Sequence, residues 1–183
     1  MRNLLWLFAL VPTLALAATP KVTTDSDPSA NFSSYKTYYW SKQPDGGSPL
    51  MQQRVVDGVN ARLQAQGWTL APDASADVAI AAHVATSQKQ SLDTFYTGTP
   101  MGGWGWRGGW GGLNTGMATT SVHTFNVGTL VIDMFDNKSH QAVWRGTMSG
   151  TVPSSPTKAD DELEKGLDKL FAQFPPQPGA KKK

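Results

Sequence analysis

Between Val122 and Val152 two runs of alternating apolar and polar residues flank the turn-forming stretch Asp136-Asn137-Lys138-Ser139. That pattern commits the segment to an antiparallel hairpin, with arms from about Val122 to Phe135 and Gln141 to Val152. Because side chains alternate along a strand, Leu130, Ile132 and Met134 point to one face and Val127, Thr129, Val131, Asp133 and Phe135 to the other. A third run, Ala76 to Thr86, places Val78, Ile80, Ala82 and Val84 on one side, with Asp77, Ala79, Ala81, His83 and Ala85 opposite. It reads as a strand whose second face is lined by small residues.

Two helices are expected to cover the apolar face. Ser48-Pro49 offers an N-cap followed by proline at the first helical position, and Met51, Val55, Val59 and Leu63 recur every four residues up to Gly67. Arg54, Asp57, Arg62 and Gln64 fall off that stripe, as solvating residues of an outer face do. The second helix is expected from about Thr157 to Phe174, with Leu163, Leu167, Leu170, Phe171 and Phe174 as its buried stripe and Pro175-Pro176 as its stop. Its acids Asp160, Asp161, Glu162 and Glu164 come early and Lys165 and Lys169 late, as the helix dipole favours. Near the start, Lys21 to Asp25 and Lys36 to Trp40 read as short strands around a turn. The order strand, strand, helix, strand, hairpin, helix implies an α+β domain, a mainly antiparallel sheet with both helices on one face.

The first residues stand outside this pattern. Arg2 precedes the apolar run Leu4 to Leu16, which ends in Ala15-Leu16-Ala17-Ala18, the layout of a secretory signal peptide. The run contains Pro12 and is shorter than the roughly 20 apolar residues that span a bilayer, so cleavage after Ala17 is expected rather than a stable transmembrane anchor. The stretch also resembles a bacterial lipoprotein signal, in which Cys would follow Ala18. Here Thr19 follows, so no lipid attaches there. Export to the periplasm or cell envelope of a Gram-negative bacterium is the expectation, with one domain over residues 18–177 and a basic tail over 178–183. The chain has no cysteine, so disulfides, thiolate metal sites and a cysteine nucleophile are excluded.

The 183 residues carry 16 Lys plus Arg against 14 Asp plus Glu, and three of those cations are the terminal Lys181, Lys182 and Lys183. With the basic excess confined to a tail, no basic face is left for nucleic acid. Three lysines, at roughly 1 kcal/mol each before salt screening, make a weak tether to an anionic surface.

From Gly98 to Gly116 the chain holds nine glycines together with Trp104, Trp106 and Trp110. Glycine at that density opposes regular structure, whereas indoles that bury roughly 150 to 250 Å² each favour docking. Two readings stay open. In one, Trp104, Trp106, Arg107 and Trp110 contact a glycan, a lipid interface or another protein; in the other, the segment is a flap over the sheet's open face.

Catalytic patterns are absent from the sequence. His83, His123 and His140 lie far apart, and neither a His-Glu-x-x-His helix nor a Gly-x-Ser-x-Gly elbow occurs. The acidic cluster at 160–164 is explained by the helix dipole, so no metal is assigned, and no cofactor is implied. Asp133 lies in an apolar strand, where a lone carboxylate is costly, and Arg145 across the hairpin is its expected partner.

Three groups of residues together resemble the DUF4136 domain family of exported bacterial envelope proteins, many of them lipoproteins. The first is Val22-Thr23-Thr24-Asp25-Ser26-Asp27 with Phe32-Ser33-Ser34-Tyr35-Lys36-Thr37-Tyr38-Tyr39-Trp40. The second is Gly67-Trp68 with Ala76-Asp77-Val78, and the third is Gly128-Thr129-Leu130-Val131-Ile132-Asp133 with Val143-Trp144-Arg145-Gly146. The resemblance implies the fold and the compartment and carries no catalytic residue. The expected role is a non-enzymatic envelope protein that binds or scaffolds, with a hydrolase of envelope polymers and a self-associating structural protein as alternatives.

Overall fold

The computed structural model describes residues 19–96 and 118–176. Its elements in chain order are β1 (Lys21–Ser26), β2 (Thr37–Asp45), α1 (Pro49–Ala65), β3 (Thr69–Leu70), β4 (Val78–Tyr96), β5 (Ala118–Asp136), β6 (Ala142–Thr151) and α2 (Pro156–Phe171). The strands form one sheet in the order β1-β6-β5-β4-β2-β3. From β1 to β4 each neighbouring pair is antiparallel. β4 with β2 and β2 with β3 are parallel, because α1 carries the chain back to the end where β2 began. The protein is an α+β fold with a mainly antiparallel sheet and both helices on one face.

The two strands around the Asp27–Asn31 turn do not pair with each other. β1 lies at one edge beside β6, and β2 lies beyond β4. The connection between them crosses the end of the sheet, held where Asp27 N–H donates to the Val143 carbonyl at 3.0 Å.

The buried face is the one the alternation defined. Val78, Ile80 and Ala82 of β4, Leu130, Ile132 and Met134 of β5, and Trp144 and Met148 of β6 meet Val55, Val59 and Leu63 of α1 and Leu163, Leu167, Leu170 and Phe171 of α2. Ser48 caps α1 by accepting from Met51 N–H at 3.3 Å, with Pro49 at the first position. At one end of the core, Trp68, Trp144, Phe171 and Phe174 pack with ring centroids 5.4 to 5.7 Å apart along the chain of contacts. Gly146 lies in that layer, where an added Cβ would collide with the Trp144 ring and sit 2.9 Å from Leu170. The absence of a side chain there lets α2 lie close to the sheet.

Several element ends and one residue depart from expectation: β2 runs on to Asp45, past Trp40, and β5 starts at Ala118, ahead of Val122. β4 runs on to Tyr96, well past Thr86, and α2 stops at Phe171. Phe174 reaches the core from the turn after the helix, where its N–H donates to the Phe171 carbonyl at 3.0 Å. Arg62 is not a solvating residue: its side chain is only 15% exposed and joins the helices, with Nη2 2.9 Å from Glu164 Oε2 and 2.6 Å from Asp168 Oδ1. Arg54 meets Asp160 at 2.5 Å on the same seam. With Glu162 paired to Lys165 at 3.1 Å, four acids of α2 have cationic partners; the helix starts at Pro156 and its first turn holds no acid, so pairing rather than the dipole places them.

Candidate functional site

The Gly98–Gly116 segment, with Trp104, Trp106, Arg107 and Trp110, lies outside the described residues. What leads into it is described. β4 and β5 stay paired from Val78 opposite Asp136 out to Tyr96 opposite Ala118. β2 leaves β4 after His83, and β6 leaves β5 after Val127 opposite Thr151. Beyond those points the sheet narrows to a two-stranded ribbon, Gln88–Tyr96 with Ala118–Asn126. At about 3.3 Å per residue, its nine rungs span roughly 30 Å. Residues 87–91 and 121–124 are exposed, so neither face of the ribbon is packed there.

At the base of the ribbon, on the helix side, an apolar cleft of about 260 Å³ opens between the helices. Met51 and Leu163 wall it, Val84, Leu130 and Met148 floor it, and Val152 stands at its rim. The cross-strand pair at this level, Gly128 with Gly150, lines it, and a Cβ would come within 3.0 Å of Val152 on Gly128 and 3.6 Å of Pro20 on Gly150. Gly47, at φ +72°, turns the chain from β2 into α1 at the same place. The volume lies just under the ~300 Å³ at which drug-sized ligand pockets begin, so a short apolar group is the size it admits.

The open face of the sheet carries the charges. Asp133 and Arg145 are register partners, and the guanidinium grips the carboxylate with Nε to Oδ1 at 2.5 Å and Nη2 to Oδ2 at 3.0 Å. The Asp133 side chain is 20% exposed and Arg145 is open to solvent, so the strand's carboxylate is paired at the sheet surface rather than buried alone. This contact, with Asp25 nearby, holds the Arg145 guanidinium above its ordinary pKa. Two strands over, Asp45 lies between Lys42, at 2.6 Å, and the His83 imidazole. Hydrogen bonds from Lys42 and then from His83 hold the Asp45 carboxyl at about 2. The imidazole thus has an acidic partner, but no hydroxyl is hydrogen-bonded to it among the described residues. His140 sits in the β5–β6 turn at φ +57° and His123 on the ribbon, so the three histidines do not converge. No group of metal-binding side chains occurs among the described residues.

Two carboxylates have structural work that the sequence patterns did not reveal. Asp77 Oδ2 accepts from the N–H groups of Lys36 and Thr37 at 2.9 and 3.0 Å, and from Thr37 Oγ1 at 3.0 Å, tying the start of β2 to the start of β4. The Lys36 bond above all holds its pKa below the ordinary range. Asp136 accepts from Ser139 N–H at 2.7 Å and from Tyr35 Oη at 2.9 Å. The Asp136 pKa is lowered, first by Ser139, and burial then Asp136 push the Tyr35 phenol up to about 12. Asp77 and Tyr35 stand within the motifs quoted above, and their role in joining segments distant in sequence explains their presence without chemistry.

A family model described as "Domain of unknown function (DUF4136)" matches residues 22–176. No curated protein matches the sequence. Among solved structures, a PDZ domain protein from Parabacteroides distasonis is similar over 87% of this chain at 12% identity, with a TM-score of 0.55. The match covers 37% of that protein, so this chain spans little more than a third of its length. The PelC dodecamer from Paraburkholderia phytofirmans is similar over 84% of this chain and 99% of its own, at 17% identity and a TM-score of 0.46. A putative neuraminyllactose-binding hemagglutinin homolog from Helicobacter pylori is similar over 79% and 88%, at 9% identity and a TM-score of 0.45. At these identities the first likeness concerns the fold alone. No helix among the described residues is long and apolar enough to cross a membrane.

Proposed function

We propose, from the premise that this chain belongs to the DUF4136 family, a family of unknown function, that it is a non-enzymatic binding module of the bacterial envelope. The observation that carries the reading is the ribbon, which stands off the packed body and leads straight into the glycine- and tryptophan-rich segment. A domain evolved only to fold gains nothing from nine unsupported rungs, whereas a binding element gains reach. The leader over residues 1–17 supports export, and the indoles with Arg107 supply stacking and interfacial chemistry for a glycan or lipid surface. The cleft at the ribbon's base adds an apolar recess on the same side as the helices.

The test is co-sedimentation of residues 18–183 with purified peptidoglycan, with membrane vesicles and in buffer alone, repeated with residues 101–112 deleted. The reading expects the intact chain in one of the two pellets and the deletion in the supernatant. Intact chain left in the supernatant throughout would overturn it. The exposed Asp45–His83 pair favours the hydrolase as second reading, which requires that His83→Ala abolish a measurable turnover of envelope polymers; a substrate screen without turnover removes it.

A further inference from the structure

We propose that the outer edge of β5 over Ala118–Thr124 pairs antiparallel with the same edge of a second copy of this chain, about a two-fold axis at Ser121. The phase of the strand sets which groups are free. Val152 N–H donates to the Asn126 carbonyl at 2.8 Å, so the even residues of β5 turn their backbone groups toward the β6 side and the odd ones toward β4. β6 ends at Thr151, and Pro153 has no N–H with which to continue. Ala118, Thr120, Val122 and Thr124 therefore present N–H and carbonyl groups to the side that β6 has left, with no backbone partner among the described residues.

The other edges of the sheet are protected and this one is not. β3, at one end, is two residues long and pairs only Thr37 and Tyr38 of β2, whose remaining edge carries Lys42, Pro44 and Asp45; β1, at the other end, is six residues with Lys21 and Asp25 in it, led by Pro20. The outer edge of the ribbon's other strand, β4, carries Lys89 and Asp93. Residues 118–124 hold no acid, lysine, arginine, proline or glycine, and three of the seven are β-branched threonines. Val122, 55% exposed, is one of four large apolar residues left exposed among the described residues.

A two-fold axis at Ser121 uses all four free residues at once, setting Ala118 opposite Thr124 and Thr120 opposite Val122 of the second copy, and the reverse. It also stops short of Asn126, whose carbonyl the Val152 N–H already occupies. The result is a four-stranded sheet where each ribbon alone has two strands, which is marginal in water. The end of each ribbon then meets the other copy near the rim of its cleft, where Val152 stands. This pairing needs no ligand, so it stands or falls separately from envelope binding and is measured in buffer.

Because the chain has no cysteine, a single introduced thiol reports without interference. Ser121→Cys in residues 18–183 is expected to form a self-disulfide under mild oxidation, since residues facing across the axis lie within disulfide reach. Lys89→Cys, on the far strand, should form no intermolecular disulfide under the same conditions. Sedimentation equilibrium of the unmodified chain is expected to give twice the mass of one chain. Val122→Pro, which removes an N–H without a backbone partner among the described residues, is expected to give a single-chain mass with an unchanged far-ultraviolet spectrum. A single-chain mass for the unmodified protein at 100 µM, or cross-linking through Lys89→Cys in place of Ser121→Cys, overturns the proposal.

Discussion

The body of the sheet and the ribbon are made of the same two strands, β4 and β5, yet they are held by different forces. From Val78 to Val84 and from Leu130 to Met134, alternate residues are buried beneath two helices, and hydrophobic burial sets the register. Beyond Thr86 the same two strands stay paired through the backbone ladder out to Tyr96 opposite Ala118, and residues 87–91 and 121–124 are exposed on both faces. A strand can therefore continue well past its core if its partner continues with it. What it loses is support from packing, and what it gains is surface.

Truncation in the body sharpens this contrast most. Trp144 is 2% exposed and touches Phe171, Phe174 and the space left by Gly146. Trp144→Ala is expected to destabilise by about 3–5 kcal/mol in a denaturant titration. A loss below about 1 kcal/mol would mean that the aromatic cluster does not anchor the body.

Next in size is Asp77→Ala, which strips three hydrogen bonds from the start of β2 and should cost about 2 kcal/mol. The same carboxylate gives a pH signature. Asp77 and Asp136 titrate below their ordinary values when folded, so the stability they contribute is present above the unfolded carboxyl value near 3.9 and is lost as pH falls through their folded values. Melting temperature is thus expected to drop on acidification below about pH 4, less steeply in Asp77→Asn. Tyr35 works at the opposite end. Its phenol is raised to about 12, so its contribution holds below the unfolded value near 10 and is lost as pH rises toward 12.

Smaller effects are expected on the open face and the ribbon. Asp133→Asn loosens a bidentate but surface-level pair and should cost less than about 1 kcal/mol, read from the same titrations. Val122→Ala, on the exposed ribbon, should change the stability of the body by less than about 0.5 kcal/mol. Hydrogen exchange separates the regions directly: amides of residues 129–135 should be protected to near the global limit, and odd residues of 119–125 far less. Equal protection in both stretches would erase the distinction between body and ribbon.

How much of this was legible beforehand follows the same division. Val55, Val59 and Leu63, and likewise Leu163, Leu167 and Leu170, repeat at helical spacing because burial selects them, so the helices and the face they cover could be read directly. The strand after Thr86 could not, because Ser87-Gln88-Lys89-Gln90-Ser91 shows no alternation when neither face is buried. Arg62 was misplaced for a related reason: a spacing argument knows one helix at a time, whereas its partners Glu164 and Asp168 sit on the other. The Asp133–Arg145 contact was approachable, since a hairpin register makes cross-strand neighbours countable. The cleft was not, because Gly128 and Gly150 line it beside Met51 and Leu163, residues far apart in the chain.

The sequence by itself determined the α+β class, the hairpin, both helices and the buried face, because local periodicity is the direct imprint of which side of each element meets water. Tertiary structure decided that β2 joins β4 in parallel and that β1 closes the opposite edge. It also decided how far the ribbon outruns the core. Those outcomes rest on pairings between segments far apart in the chain, where the backbone groups that bond are the same in every residue and leave no mark in the order of side chains.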